Sequence, residues 1–200
     1  MLPMTSKSKK PLAAIYGPTA VGKSRIAVAV AREVQGEIIS SDSMQVYRGL
    51  PIITDQPSAA EMGGVAHHLV GVVELSEQFS AARFARDASA IIDDVAGRGR
   101  LPLLVGGTGL YNRALLGGFT FAAQGGEESR RDFEELVRRD GIEAGLEELK
   151  RLDPQSAAII DTRNPRRLIR ALEAASAAGH TIAAERERLW SPESPYRLLS

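Results

Sequence analysis

An α/β fold with a doubly wound parallel sheet is what this sequence predicts, and three observations carry that prediction. First, a short apolar run, Leu12-Ala13-Ala14-Ile15-Tyr16, leads into a glycine-bounded loop. The loop is followed by a segment, residues 25–33, with apolar side chains such as Ile26 and Val30 at helical spacing. Second, Leu101-Pro102-Leu103-Leu104-Val105 is an unbroken apolar run, typical of a parallel strand covered on both faces. Third, strand-like and helix-like segments alternate up to residue 118, and strand signals then cease until the last few residues.

In chain order, residues 1–10 are polar and basic without an apolar core, so they read as a frayed tail rather than a secretory signal. Residues 36–41 read as a second short strand that delivers Asp42 at its carboxyl end, where open α/β sheets hold their ligands. The stretch Asp42-Ser43-Met44-Gln45-Val46-Tyr47 has no clean period and is either a working strand-end loop or an ordinary capped turn. Prolines 51 and 57 and the pair Gly63-Gly64 make residues 50–65 mostly loop. The neighbours His67 and His68 point to opposite sides of an extended chain, which argues against a shared metal. Ser80 predicts an N-cap for a helix over residues 81–96, with Phe84, Ala88, Ile91, Ile92 and Val95 on its buried face. The Leu101 strand ends in Gly106-Gly107-Thr108-Gly109, a second glycine turn on the same rim as the first, followed by a helix over residues 110–116.

Beyond Gly117-Gly118 the composition turns charged and helical. Helices are predicted over residues 129–139 and 142–152, with a turn after Asp153-Pro154. Asn164-Pro165 is a cap followed by proline at the first helical position. The helix that follows carries Leu168, Ile169, Leu172 and Ala175 on one face and Arg166, Arg167 and Arg170 on another, and Gly179 is expected to close it. Cations in a first turn oppose the helix dipole, and arginines four apart repel. The arginines therefore belong either to an anion-binding face or to a solvated one partly paired with Glu173. The organisation predicted is a tail over 1–10, an α/β core over 11–118, a helical insertion over 119–193, and the start of a strand returning to the core over 194–200.

Composition sets outer limits. The chain has 200 residues, room for roughly one or two domains with a substantial core. Its 25 Lys and Arg balance 25 Asp and Glu, so any nucleic acid must be met by a local patch rather than by overall charge. It has no cysteine, which excludes disulfides and thiolate metal sites and fits a reducing cytoplasm. No apolar run reaches membrane-spanning length.

The chemistry-bearing motif is Gly17-Pro18-Thr19-Ala20-Val21-Gly22-Lys23-Ser24, a complete phosphate-binding loop between strand and helix. Its glycines let successive N–H groups turn inward at phosphate oxygens above the positive end of a helix. Lys23 has the reach for a terminal phosphate, and the Ser24 hydroxyl suits Mg²⁺. The loop predicts a polyphosphate ligand without choosing among them.

Five segments in order resemble the tRNA dimethylallyltransferase (tRNA isopentenyltransferase) family. They are the phosphate loop, Ser41-Asp42-Ser43-Met44-Gln45-Val46-Tyr47, His67-His68-Leu69, Leu103 to Tyr111, and Asn164-Pro165-Arg166-Arg167-Leu168-Ile169-Arg170-Ala171-Leu172-Glu173. The resemblance implies a P-loop NTPase-like core and transfer of a dimethylallyl group from its diphosphate to N6 of the adenine 3′ of the anticodon. The loop would then hold a diphosphate leaving group rather than ATP, with Mg²⁺ on Ser24. It implies that Thr19 lines the diphosphate site, that Thr108 contacts the target nucleotide, and that Asp42, Ser43, Met44, Gln45, Arg130 and the run Arg166, Arg167, Leu168, Ile169 and Arg170 contact tRNA. Asp42, on the same rim as the loop, is the expected general base for the exocyclic amine, within a catalytic set of Thr19, Lys23, Asp42 and Thr108. The partners implied are tRNA and dimethylallyl diphosphate, with no membrane and no protein partner. The resemblance also implies a longer chain, with further strand and basic segments beyond Ser200, so the 200-residue chain is expected to bind dimethylallyl diphosphate weakly, if at all, not to prenylate tRNA, and to be aggregation-prone or marginally stable. A small-molecule or nucleotide kinase on the same scaffold, or a non-catalytic phosphate- or RNA-binding fragment, are the alternatives. A kinase often ends the equivalent of the Leu101 strand in a metal-holding Asp, where this chain has Gly106-Gly107-Thr108.

Overall fold

Five parallel strands form one sheet in the order β3-β2-β4-β1-β5. They are β1 (Lys10–Tyr16), β2 (Glu37–Ser40), β3 (His67–His68), β4 (Pro102–Gly106) and β5 (Tyr196–Leu199). The computed structural model describes residues 9–18, 20–117, 127–177 and 194–199. The chain divides into two compact units, Met1–Phe119 with Pro192–Ser200, and Thr120–Ser191.

In the first unit, β4 is central and every one of its residues is buried, as an unbroken apolar run requires. It pairs with β1 through Ala13↔Leu103 and Ile15↔Val105, and with β2 through Ile38↔Leu103 and Ser40↔Val105. The period-2 alternation of a strand sends these residues to one face, where helix α1 (Lys23–Glu33) packs Ala27, Val28 and Ala31 on Ile38, Leu103 and Val105. Small residues on α1 let the helix sit close to the sheet. The alternate residues Leu12, Ile39 and Leu104 are also buried and point to the other face. There α3 (Ala81–Gly97) buries Phe84, Ala88, Ile92 and Val95. Its cap is the expected one, with the Ser80 side chain accepting from the Arg83 N–H. Ile91 lies half-buried at the margin of that stripe. Helix α4 (Gly109–Leu116) follows β4 directly, and its Tyr111 ring stacks on Phe84 at 4.5 Å. β5 adds an edge strand beside β1, with Leu12 opposite Leu198.

One stretch read as loop contains a helix. Helix α2 (Ala59–Met62) is closed by a capping box in which Ser58 and Glu61 satisfy each other's backbone. The Ser-x-x-Glu signature is present in the sequence, but four residues show no period to confirm it.

The second unit holds α5 (Glu127–Leu152), α6 (Pro154–Ile159) and α7 (Pro165–Ser176). The two helices predicted over 129–139 and 142–152 are the halves of α5, broken at Gly141, whose φ of 90° suits glycine alone. The segment after Asp153-Pro154 is a helix rather than a turn. Asp153 caps α6 by accepting from the Ser156 N–H, and Pro154 opens it. This is the same cap-then-proline grammar as Asn164-Pro165 at α7. Leu149, Leu168, Ala171 and Leu172 are the centre of this unit's core, flanked by Phe133, Val137 and Ile142. The expected closing residue Gly179 lies outside the described residues, and α7 ends at Ser176. No described helix is long and apolar enough to cross a membrane.

Candidate active site

The loop between β1 and α1 is held by two left-handed residues, Ala20 at φ 65° and Gly22 at φ 81°. Gly22 is the N-cap of α1 and makes no side-chain capping bond. The first intrahelical bond runs from Ile26 N–H to Gly22 O at 3.2 Å. The N–H groups of Lys23, Ser24 and Arg25 therefore have no helical carbonyl to reach and present an anion-binding end. Lys23 curls over the loop, its Nζ donating to Pro18 O at 2.5 Å, and Ser24 is exposed. Thr19 lies outside the described residues.

The neighbouring rim is built by Ser41 to Tyr47. Asp42 is half-buried, and its Oδ1 accepts from the N–H groups of Met44 (2.8 Å) and Gln45 (3.3 Å). This is the capped-turn geometry, and it directs the carboxylate: one oxygen is spent on the turn, while Oδ2 takes no part in these bonds. Thr108 fastens the loop from the β4 side. Its N–H donates to Ser41 O at 3.2 Å, and its Oγ1 accepts from Ser43 N–H at 3.1 Å. Gly106 permits this approach, because a Cβ there would lie 2.5–2.7 Å from atoms of Ser41. Nearby, burial, reinforced by the charges of Tyr47 and Asp42, pushes the Tyr111 phenol up to about 12. It stays neutral and donates to Phe79 O at 3.0 Å.

These two rims face one cleft of about 680 Å³, lined among others by Lys23, Ser24, Ser40, Asp42, Gln45 and Gly106. A cation, a helix N-terminus and a hydroxyl thus share a space with a carboxylate. The Ser24 hydroxyl is a hard oxygen donor of the kind magnesium takes, usually with phosphate oxygens completing the shell. Gln45 turns its side chain inward: Oε1 accepts from Ser40 Oγ at 3.1 Å and Nε2 donates to Asp55 O at 2.7 Å. Met44 is exposed and Ser43 half-buried.

His67 also lines the cleft, and both histidines are held by hydrogen bonds. His67 Nδ1 donates to Val65 O, and His68 Nε2 donates to the buried Glu37 at 2.7 Å. Sequence reasoning passed over Ser40, Asp55 and Gln56, all of which line the cleft. They are ordinary polar residues with no spacing rule to mark them: Ser40 ends β2 two residues before Asp42, and the folding of residues 50–57 against the Asp42 loop brings in Asp55 and Gln56.

In the second unit, Arg130 pairs with Glu134 at 2.8 Å and Arg167 with Asp161 at 3.1 Å, while Arg166 is exposed. Arg170 is half-buried 3.9 Å from the buried Glu173. Leu168 corrects the expectation drawn for it: its side chain is fully buried in the core and has no surface to offer an RNA. Ile169 is half-buried.

The parallel sheet, the helices on both its faces and the loop at the end of β1 define a P-loop NTPase-like α/β protein. Its branch of that class follows from comparison: the model described as IPP transferase matches residues 45–200, and the chain belongs to that family. A curated relative from Halalkalibacterium halodurans, a tRNA dimethylallyltransferase, is 44% identical over 96% of this chain and 61% of its own length. One of the same name from Methylococcus capsulatus is 44% identical over 98% of this chain and 63% of its own. Among solved structures, a full-length tRNA isopentenylpyrophosphate transferase from Bacillus halodurans is 42% identical with a TM-score of 0.59, covering 96% of this chain and 59% of that one. A eukaryotic dimethylallyltransferase acting on tRNA is 29% identical with a TM-score of 0.79, covering 95% and 47%. The chain spans about three-fifths of the length of the first two relatives.

Proposed function

We propose that this chain carries the chemistry of a tRNA dimethylallyltransferase. In that reaction the allylic C–O bond of dimethylallyl diphosphate breaks, a C–N bond forms to N6 of the adenine 3′ of the anticodon, and diphosphate leaves. The observation that carries the reading is the shared cleft: an anion-binding loop on one rim and the Asp42 carboxylate on the other.

Departure of diphosphate builds negative charge on the leaving oxygen. The N–H groups at the start of α1 meet that charge, joined by Lys23 as its ammonium turns from Pro18 O to the diphosphate, with Thr19 as a further residue of the 17–24 motif. Magnesium, when bound, supplies further charge stabilisation to the leaving group, and Ser24 would hold it. The exocyclic amine of adenine is a weak nucleophile. It loses its proton as the new bond forms, and Asp42 Oδ2 accepts that proton. Thr108 orients the acceptor through the loop it fastens, alongside Ser43, Met44 and Gln45. The adenine must leave its stack to enter the cleft. Arg130, Arg166, Arg167 and Arg170 supply cations for the tRNA backbone, with Ile169 beside them. The setting is the cytoplasm, where tRNA is the substrate.

The test is incorporation of a labelled dimethylallyl group into tRNA by this chain, with thermal stabilisation by dimethylallyl diphosphate and magnesium measured against ATP. Transfer into tRNA, with saturable stabilisation by the allylic diphosphate, supports the reading. Stabilisation by ATP alone with no transfer overturns it.

A further inference from the structure

We propose that Gln56 is a positioning residue that holds the Asp42 loop in register for proton removal; this rests on the transfer reading above. Residues 42–47 form a turn with little packing of its own, since Met44 is exposed and Val46 is its fully buried anchor. Inside it the Asp42 cap and a Tyr47 N–H to Met44 O bond at 3.3 Å shape the turn, and the remaining support comes from outside it. On the β4 side Thr108 holds Ser43 and Ser41. On the opposite side the Gln56 Nε2 group donates to two carbonyls of the loop, Gln45 O at 2.9 Å and Tyr47 O at 2.6 Å. Two carbonyl acceptors settle which end of the amide faces them, and both N–H bonds of the group are used.

The brace is reciprocal. Gln45 sends its own Nε2 back to Asp55 O at 2.7 Å, and its Oε1 accepts from Ser40 Oγ on the last residue of β2. The two glutamines thus cross-link strand end, Asp42 loop and the 50–56 turn. That turn is stiff enough to serve as an anchor: Gln56 N–H donates to Pro51 O at 2.9 Å, and Thr54 donates to Leu50 O through both N–H and hydroxyl. Backbone bonds from Gly71 and Val72 to Gln45 O and Val46 O add to the clamp. Gln56, however, is the side chain among the described residues that donates to two carbonyls of this loop. Half-buried at the cleft wall, it touches neither the phosphate loop nor the Asp42 carboxylate in any of these bonds, so it acts through the loop's shape.

Gln56→Glu keeps the volume and removes both donors, placing a carboxylate against two carbonyls. Gln56→Lys restores a donor-only group of similar reach. Amide exchange at Met44 and Gln45, whose N–H groups hold Asp42, is expected to speed up in Gln56→Glu and to return toward the parent rate in Gln56→Lys. In the transfer assay kcat should fall roughly 10²-fold in Gln56→Glu with KM for both substrates unchanged, as expected when a reacting group is displaced rather than lost, and Gln56→Lys should recover most of it. Unchanged exchange in Gln56→Glu overturns the proposal, as does a Gln56→Lys chain no better than Gln56→Glu, including the case in which Gln56→Glu fails to fold. If the parent chain transfers nothing, the functional reading fails in that assay, while the exchange measurement still decides whether Gln56 clamps the loop.

Discussion

Lys23 and Asp42 face the same cleft from opposite rims, and they should fail differently. Lys23→Ala removes a fixed cation from the phosphate loop, and loss of such a group typically costs several kcal/mol of transition-state stabilisation. Stabilisation by dimethylallyl diphosphate should disappear while the melting temperature without ligand stays near the parent value, because among the described residues the Lys23 ammonium bonds a single loop carbonyl. Calorimetric titration with the diphosphate checks this. Asp42→Asn should spare the fold, since the asparagine carbonyl can still accept from Met44 and Gln45. It cannot take a proton from N6, so turnover should fall by roughly 10²–10⁴ with tRNA affinity retained. An asparagine variant as fast as the parent in single-turnover transfer would remove Asp42 from the role of base.

At the scale of the element, α7 shows how tertiary contacts reverse an expectation drawn from the helix alone. An isolated helix would gain slightly from losing first-turn arginines, through the dipole and like-charge effects. In the fold, Arg170 lies beside the buried Glu173, and removing a cation from beside a buried carboxylate takes away part of its compensating charge, with Arg130 still acting on it. Arg170→Gln should therefore lower stability by about 1–3 kcal/mol, read by denaturant titration. Arg166→Gln and Arg167→Gln should be nearly silent there, because Arg166 is exposed and the Arg167 partner among the described residues is the half-buried, solvent-screened Asp161. Their effect belongs to RNA. For every phosphate that an arginine no longer neutralises, the log–log salt dependence of tRNA binding should flatten by about 0.7–0.9. A slope unchanged in the double variant would return both to solvent.

At the scale of the whole first unit, one buried carboxylate ties strands to helix. Glu37, at the start of β2, accepts two bonds from Arg98, which follows α3, and one from His68 on β3, with Arg100 at 3.5 Å. The Arg98 hydrogen bonds outweigh burial and hold its carboxyl at about 2, below the ordinary 4.5. A folded-state value below the unfolded one contributes stability in full above pH 4.5 and loses it as pH falls from there toward 2. The whole shift corresponds to about 3 kcal/mol at most. Melting temperature should thus drop on acidification across that window, and Glu37→Gln should be less stable at neutral pH with a flatter acid limb. A variant with the same acid limb as the parent would show that other carboxylates set it.

Local grammar is legible from the residues alone. The strand–loop–helix order around Lys23, the unbroken apolar run of β4, the Ser80 and Asn164 caps and the break near Gly141 all follow from periodicity and φ restrictions acting over a few residues. The rim positions of the loop and Asp42 follow too, since the carboxyl ends of parallel strands share an edge. The fold decided what no spacing rule carries. It turned Gln45 inward onto Ser40 and Asp55, drew Gln56 against the Asp42 loop, buried Leu168 in a core and set Arg170 beside Glu173. The physical reason is range. Backbone preferences and caps act within a turn, whereas the partner of a polar side chain is chosen by chain segments that meet only after the sheet has assembled.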